Sequence, residues 1–184
     1  MIQKGEWIQF MHCLVVGGGA AGLLAATFAA AGGIDVTVIE RNSRMARKVM
    51  ITGKGRCNVT NFCSVQEFIA NVPGNGRFLY SALSAFTPQD LMVFLEENGL
   101  SLKVERGNRI FPSSDKAVDV VDTLVKAARN SGVRFLQGRA VELIIQNGCK
   151  GVILETGERL AADAVIVATG GMSYPLTGST GDGY

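Results

Sequence analysis

The chain has 184 residues, which is enough for one domain with a hydrophobic core, and a formal net charge of +2 at pH 7. Acidic and basic residues are interspersed, so no basic stripe predicts a nucleic-acid partner. No apolar run reaches the roughly 18 residues of a membrane span, and residues 1–10 lack the apolar core of a signal peptide. We therefore expect a cytoplasmic protein with no membrane partner.

Cysteine and histidine usage argues against metal or dithiol chemistry. No two of the four cysteines have Cys-x-x-Cys spacing, so the pattern predicts neither a zinc site nor a thioredoxin-type dithiol. The only histidine, His12, begins the first predicted strand and is interpreted as a strand-end residue. We expect no metal ligands.

Three glycines, Gly17, Gly19 and Gly22, follow an apolar run at 13–16 and open an alanine-rich segment at 20–31. This order predicts a strand, a tight turn and a helix. The first glycine permits the positive φ of a sharp turn, the second lets a pyrophosphate approach the backbone, and the third lets helix and strand pack closely. A glycine triplet by itself also fits a purely structural turn, but the flanking elements favour dinucleotide binding.

The start of the predicted helix is the expected pyrophosphate site. The backbone there, including that of Ala20 and Ala21, offers N–H groups and a partial positive charge. A second buried strand, 35–40, ends in Glu40, which lies eighteen residues after Gly22, near the spacing of an acid that binds ribose hydroxyls. The carboxylate would repel a 2′-phosphate, so the expected ligand is FAD or NAD rather than NADP.

A basic segment follows, with six cations and no acid between residues 41 and 61. It is either a solvated loop or part of the cofactor site, and its position directly after Glu40 favours the site. Gly53 and Gly55 would expose main-chain N–H groups to an anion or a flavin edge, and Arg56 and Asn58 add side-chain donors.

The run Gly-Lys-Gly-Arg-Cys-Asn at 53–58 resembles the signature of the aminoacetone-oxidase-like family, also described as bile-acid-inducible-reductase-like NAD(P)/FAD-dependent oxidoreductases. The usual form is Gly-Gly-Gly-Arg-Cys-Asn, and Lys54 replaces the middle glycine. The resemblance implies that Arg56, Cys57 and Asn58 lie near the flavin, with Lys48 as a further cofactor contact. Cys57 is either a redox partner of the flavin or a small packed residue; the lack of a second cysteine nearby favours packing.

Beyond this motif the sequence predicts a mainly helical insertion at 62–115. One helix begins with Thr87 as N-cap and Pro88 in its first turn, and a hairpin follows at 102–111. The predicted domains are an N-terminal extension, 1–10, the first part of an FAD-binding domain, 11–61 and 116–184, and the insertion, 62–115.

The last third of the chain predicts a helix from 116 to 130, a third parallel strand at 133–136, an antiparallel meander at 141–160 and a buried strand at 164–168. This order, ending in Ala-Thr-Gly-Gly, resembles the second fingerprint of glutathione-reductase-type flavoproteins. The resemblance implies that Thr169, Gly170 and Gly171 close over the cofactor. It also implies that Val141 lies near the adenine and Arg41 beside the adenosine half, and the run 173–184 resembles the same family.

The predicted fold is α/β: a Rossmann-like FAD-binding domain with a central parallel sheet, an antiparallel meander and a helical insertion, incomplete relative to the family. The predicted function is an FAD-dependent oxidoreductase that transfers hydride through the flavin, with a small-molecule substrate and NAD(P)H as a candidate electron donor. No catalytic residue is identified. The alternatives are a non-catalytic dinucleotide-binding fragment that acts with a partner chain, and an NAD-dependent dehydrogenase, which would not need the second glycine turn.

The family resemblance implies a substrate-side domain after residue 184. We therefore expect this chain to be the N-terminal portion of a longer protein or the product of a disrupted gene, with the missing part or a partner chain completing it. The strand at 164–168 would then be an exposed apolar edge. The chain by itself should retain FAD weakly and self-associate.

Overall fold

The computed structural model describes residues 11–172, 181 and 183. The predicted extension, 1–10, and most of the motif at 173–184 lie outside the described residues. Two 3₁₀ helices, Val49–Gly55 and Gly76–Leu79, accompany the regular elements. In chain order these are β1 His12–Val16, α1 Ala20–Ala31, β2 Asp35–Glu40, β3 Thr60–Asn61, α2 Val65–Ala70, α3 Tyr80–Ala85, α4 Pro88–Glu97, β4 Leu102–Glu105, β5 Arg109–Pro112, α5 Ala117–Asn130, β6 Arg134–Gln137, β7 Ala140–Ile145, β8 Cys149–Leu154, β9 Arg159–Ala161 and β10 Ala164–Val167.

The chain divides into two compact units. The first unit comprises Met1–Met45 and Ala127–Tyr184, and the second comprises Ala46–Lys126. The second unit is wider at both ends than the insertion predicted at 62–115.

A four-stranded parallel sheet, in the order β10-β1-β2-β6, forms the centre of the first unit. Each strand has the partner that the predicted β-α-β arrangement requires: Val16 is in register with Ile39 on β2 and with Val167 on β10. Buried apolar side chains fill β1, as expected for a central parallel strand covered on both faces. Because all four strands are parallel, their carboxyl ends lie along the same edge of the sheet.

Opposite faces of this sheet carry different partners. Leu14, Val16 and Ile39 form a buried cluster with Val152 and Leu154 of β8, so the antiparallel meander, ordered β7-β8-β9, covers one face. The intervening Val15 points to the other face, where α1 packs against β1 and β2. The predicted parallel sheet and meander are both confirmed.

The strand predicted at 164–168 is β10, and within the described residues it is the exposed apolar edge that we expected, whereas its interpretation as a buried strand is wrong. β10 lies at the edge of the sheet, and the described residues provide no strand on its outer side. Two of its side chains are consequently open to solvent: Ile166 is 36% exposed and Val167 50%. An apolar run indicates a strand, but it does not distinguish a central strand from an edge strand.

The second unit contains a three-stranded sheet in the order β3-β5-β4 and short helices. The hairpin of β4 and β5 is confirmed, whereas β3 was not predicted, since two residues carry no periodic signal. The predicted start of α4 is also confirmed: the Thr87 hydroxyl accepts a hydrogen bond from the Asp90 N–H at 3.1 Å, and the Asp90 carboxylate accepts one from the Thr87 N–H at 2.8 Å.

The predicted helix at 116–130 is α5, which runs across the boundary between the units. Its apolar stripe, including Val120, Val121 and Leu124, is buried as expected. Over the described residues, no helix combines the length and the apolar character that crossing a bilayer would require.

Candidate dinucleotide-binding site

The chain reverses its direction of winding at β1. From β1 the next strand in the chain, β2, lies on one side, while the much later β10 lies on the other. Ligands of open α/β sheets bind outside the carboxyl ends of the strands at such a switch point. In the first unit this places the turns that follow Val16 and Val167 side by side.

Gly17 is the point at which these two turns meet. Its φ is +109°, and a Cβ there would lie 2.5 Å from the carbonyl oxygen of Ala168 and 3.1 Å from the Cα of Thr169. The Gly17 N–H also donates to the carbonyl of Ile39 at 2.8 Å. No side chain fits at this position, so the predicted conformational role of Gly17 is confirmed and its contact with the second turn is explained.

The other two predicted glycines have opposite surroundings. A Cβ at Gly22 would lie 1.9 Å from the carbonyl oxygen of Gly17, so the close packing predicted for Gly22 is present. A Cβ at Gly19 would meet nothing within 4 Å. The space above Gly19 is therefore open, as an approaching pyrophosphate would require.

The amino end of α1 is suited to an anion. Gly19 is the N-cap, Ala20 and Ala21 are exposed, and within the described residues no side chain caps the helix or places an acid in its first turn. The N–H groups of the first turn and the helix dipole both favour negative charge at this place. Binding of pyrophosphate by these residues stays a prediction.

The carboxylate of Glu40 is tied to the glycine turn. Its Oε2 accepts a hydrogen bond from the Gly18 N–H at 2.8 Å, while its Oε1 accepts from the Asn42 N–H at 2.9 Å and from the Asn42 side chain at 2.5 Å. Glu40 is only 9% exposed. The predicted acid thus lies beside the turn, and its contact with a ribose stays a prediction.

Two residues of this arrangement were missed by the sequence analysis. A Cβ at Gly18 would lie 2.3 Å from the sulfur of Met45 and 3.1 Å from the Cβ of Glu40, so a side chain there would displace Met45 and crowd Glu40. Asn42 is the second partner of Glu40. The glycine fingerprint leaves the residue at Gly18 unspecified, and nothing in the sequence connects Asn42 with Glu40 except proximity.

A cavity of about 600 Å³ adjoins the ends of β2 and β6. Side chains of both charge signs line it, among them Arg41, Glu155 and Glu158, and Arg139 forms an ion pair with Glu155 at 3.2 Å. One of its lining residues, Arg41, directly follows Glu40 in the sequence. The predicted place of Arg41 beside the adenosine half fits this cavity and stays a prediction.

Val141 lies where the β7–β8 ladder is irregular. Ala140 is in register with Leu154 and Glu142 with Ile153, so Val141 is passed over by the ladder, and its side chain is 55% exposed. A bulge of this kind leaves backbone groups outside the regular pairing. The predicted contact between this backbone and an adenine stays a prediction.

The turn after β10 has the conformation of a glycine turn. Gly170 has a φ of +83°, and Thr169 approaches Gly17 as described above. Gly171 has no heavy atom within 4 Å of the position of an added Cβ. The predicted closure of Thr169, Gly170 and Gly171 over a cofactor stays a prediction, but their position beside the first glycine turn is established.

The motif at 53–58 belongs to the second unit and is rich in left-handed backbone. Gly53, Lys54 and Cys57 have φ values of +55°, +58° and +59°. A Cβ at Gly53 would lie 3.0 Å from the backbone nitrogen of Asn58, so a glycine is required there. Lys54 adopts the left-handed conformation that a glycine would take without strain.

Arg56 has its side chain engaged inside the second unit. Its guanidinium donates to Asp115 at 2.8 Å through Nε, forms an ion pair with Glu105, and lies 4.3 Å from the centroid of the Phe111 ring. Lys103 donates to the other oxygen of Asp115 at 2.6 Å. Arg56 was predicted as a donor to the cofactor, and the two carboxylates that hold its guanidinium were not predicted.

These contacts lower the pKa of both carboxyl groups. The hydrogen bond from Arg56 keeps the pKa of Glu105 below its ordinary value, and bonds from Lys103 and then Arg56 do the same for the pKa of Asp115. Because Glu105 lies on β4 and Phe111 on β5, the contacts of Arg56 connect the motif to the β4–β5 hairpin.

Cys57 and Asn58 differ in exposure. Cys57 is 5% exposed, and burial raises the pKa of its thiol, which favours the interpretation as a packed residue over a reactive thiolate. Asn58 is exposed; with its amide nitrogen turned inward, it donates to the carbonyls of Thr60 and Ile110 at 3.1 and 3.2 Å. Lys48 is the N-cap of the 3₁₀ helix Val49–Gly55, which extends into the motif.

The predicted site residues thus fall into two groups. Those of the first unit share the carboxyl edge of the parallel sheet or adjoin it, while those of the second unit belong to the left-handed motif and its approach. The first group is Gly17, Gly19, Ala20, Ala21, Gly22, Glu40, Arg41, Val141, Thr169, Gly170 and Gly171, and the second is Lys48, Arg56, Cys57 and Asn58.

The parallel sheet, the two glycine turns and the acid at the end of β2 define an FAD-binding Rossmann domain of the oxidoreductase type. Residues 11–184 match the HI0933-like protein Rossmann domain, and the chain belongs to that family. The flavoprotein resemblance of the sequence is confirmed at this level.

Named relatives carry the same segment. The chain is 34% identical over 172 residues to the 3-dehydro-bile acid delta(4,6)-reductase of Clostridium scindens, covering 92% of this chain and 41% of that protein. It is 30% identical over 178 residues to the ribosomal RNA dihydrouridine synthase of Escherichia coli, covering 96% of this chain and 44% of that protein. The chain therefore spans less than half the length of these relatives.

Among solved structures, the 3-ketosteroid-delta4-(5alpha)-dehydrogenase of Rhodococcus jostii superposes with a TM-score of 0.65 at 18% identity, over 92% of this chain and 48% of that one. A similarity at this level of identity establishes the shared fold.

Proposed function

We propose that this chain is the FAD-binding portion of an oxidoreductase of the HI0933-like family that acts on a small-molecule substrate. The observation that carries the proposal is the contact of Gly17 with the Ala168–Thr169 turn, with Glu40 bound to the same glycine turn. When bound, FAD supplies hydride chemistry at its isoalloxazine ring. The amino end of α1 would hold the pyrophosphate, and Glu40 would hold the ribose.

Within the family, we assign the chain to the aminoacetone-oxidase-like, bile-acid-inducible-reductase-like group. The motif at 53–58 and the 34% identity to the Clostridium scindens reductase support this finer assignment. NAD(P)H is the proposed electron donor. The remaining part of the family architecture, or a partner chain, would supply the substrate side. A cytoplasmic location stays a prediction from the sequence.

Binding of FAD and FMN by the purified chain tests the cofactor. FAD should bind more tightly than FMN, because only FAD has the adenosine half that Glu40 and the cavity beside Arg41 would hold. Glu40→Gln should weaken FAD binding about tenfold or more, the usual effect of losing a hydrogen bond to a charged group, and leave FMN binding unchanged. Equal affinity of the wild-type chain for both flavins would contradict the proposal.

Turnover separates the oxidoreductase from the non-catalytic alternative. The FAD-loaded protein should be reduced by NADH or NADPH under anaerobic conditions and reoxidised by an artificial acceptor, with bleaching and recovery of the flavin absorbance. A protein that binds FAD tightly but is reduced by neither nicotinamide would favour the dinucleotide-binding alternative, or a different electron donor.

A further inference from the structure

The carboxylate of Glu40 receives three hydrogen bonds from the chain itself. One comes from the Gly18 N–H to Oε2, and two come from Asn42 to Oε1, through its backbone N–H and its side-chain amide. An ionised carboxylate offers about four acceptor positions. Three are therefore occupied, and the direction left for another donor is fixed by the first three.

The side chain of Asn42 has a separate effect from its backbone. Any residue except proline would supply the backbone N–H at 2.9 Å, but only a side chain with a donor supplies the second bond, at 2.5 Å. This second bond adds to the restraint that the Gly18 and Asn42 backbone N–H groups place on rotation of the carboxylate about its last bond. Asn42 itself is half-buried and also lines the cavity beside Arg41.

We propose that Asn42 is a positioning residue, which orients the Glu40 carboxylate toward the ribose hydroxyl of the bound dinucleotide and links it to the glycine turn. This inference rests on the proposed FAD function, and specifically on the ribose role of Glu40. In this role Asn42 acts on the ligand through Glu40. Substitution of Asn42 should therefore change only the part of the binding affinity that comes from the ribose hydroxyl that donates to Glu40.

Binding of ADP and 2′-deoxyADP to the full chain measures this effect directly, since the two ligands differ only in the hydroxyl that the acid of this fold binds. The wild-type chain should prefer ADP about tenfold, the order expected for one hydrogen bond to a charged group. In Asn42→Ala the preference should fall to about twofold or less. In Asn42→Asp, which keeps the shape but replaces the donor with a second carboxylate, it should disappear.

The ratio of the two affinities separates positioning from a structural effect. If Asn42 only stabilised the fold, its variants would lose affinity for both ligands by the same factor and the ratio would stay at its wild-type value. Asn98→Ala is the matched control: it removes an asparagine of the second unit whose side-chain amide also donates a hydrogen bond, in this case to the backbone carbonyl of Phe94. It should leave the ratio unchanged.

Two further outcomes distinguish this inference from the function on which it rests. A wild-type ratio retained in Asn42→Ala and Asn42→Asp would overturn the role of Asn42 and leave Glu40 as the ribose acid. A wild-type chain that binds ADP and 2′-deoxyADP equally would overturn the ribose role of Glu40, and the positioning role with it.

Discussion

At the residue scale, Gly19 and Gly22 should respond in opposite ways to one added methyl group. In Gly22→Ala the new Cβ would lie 1.9 Å from the Gly17 carbonyl oxygen, so helix and turn must separate. We expect the free energy of unfolding to fall by about 1–3 kcal/mol, the range for overpacking, together with loss of FAD binding. Thermal or urea unfolding of the FAD-free protein measures the first effect, and FAD titration measures the second.

Gly19→Ala provides the contrast, because its Cβ would meet nothing within 4 Å and its φ of −78° suits any residue. The variant should unfold like the wild type, yet bind FAD at least about tenfold more weakly, since the methyl group occupies the path of the pyrophosphate. If Gly19→Ala unfolded as easily as Gly22→Ala, the interpretation of an open phosphate site at Gly19 would be wrong.

The residues around the glycine turn show which features can be predicted from the sequence and which cannot. Gly17 and Gly22 were identified from spacing because a glycine fingerprint records where a side chain cannot fit. The constraint on Gly18 comes from Met45, and the setting of Glu40 depends partly on Asn42. Such contacts depend on how the chain folds back over the turn, and a pattern of residue types along the chain does not encode that path.

At the element scale, the ion pairs around Arg56 should make the second unit sensitive to acid. Bonds from Arg56 and Lys103 lower the pKa values of Glu105 and Asp115. A carboxyl group with a lowered pKa in the folded state contributes stability above its unfolded pKa of about 4, and this contribution is lost as the pH falls through the folded value. Asp115→Asn should therefore be less stable than the wild type at pH 7, and the difference should shrink below about pH 4.

Unfolding curves recorded between pH 3 and pH 7 would test this expectation. Asp122→Asn is the control, since it makes the same change on an exposed face of α5. A stability difference for Asp115→Asn that stayed constant down to pH 3 would show that lost packing, rather than charge, accounts for the effect of the variant.

Elements with a strong local signal were predicted well, and those defined by distant partners were not. The capping box of α4 and the β4–β5 hairpin follow from residues close together in the sequence. The two-residue strand β3 exists because β5 pairs with it, and Arg56 finds its carboxylates 49 and 59 residues away. Hydrophobic periodicity reports local secondary structure, so it cannot predict pairings between residues this far apart in the sequence.

At the scale of the whole molecule, the exposed edge of β10 should cause the isolated chain to self-associate. Val167, 50% exposed, lies on a strand whose outer side no other described strand covers. A charge on an edge strand disfavours pairing between molecules. Val167→Lys should shift the chain toward monomer in sedimentation velocity, measured across a range of concentrations.

Val93→Lys is the matched control, because Val93 is 51% exposed but lies on helix α4. If both variants reduced association equally, general solubility rather than strand pairing would be responsible. A wild-type chain that stayed monomeric at high concentration would contradict the edge prediction itself.

The neighbours of β1 also set an order of events during synthesis. β2 follows β1 almost immediately, but the backbone N–H of His12 bonds to Asp163, which is 151 residues later in the chain. During translation, the edge of β1 that pairs with β10 therefore lacks its partner strand until most of this chain has been made. The contact between Gly17 and Ala168 can form only after that. Assembly of the two glycine turns is consequently a late event in synthesis, and FAD binding that needs both turns should follow it.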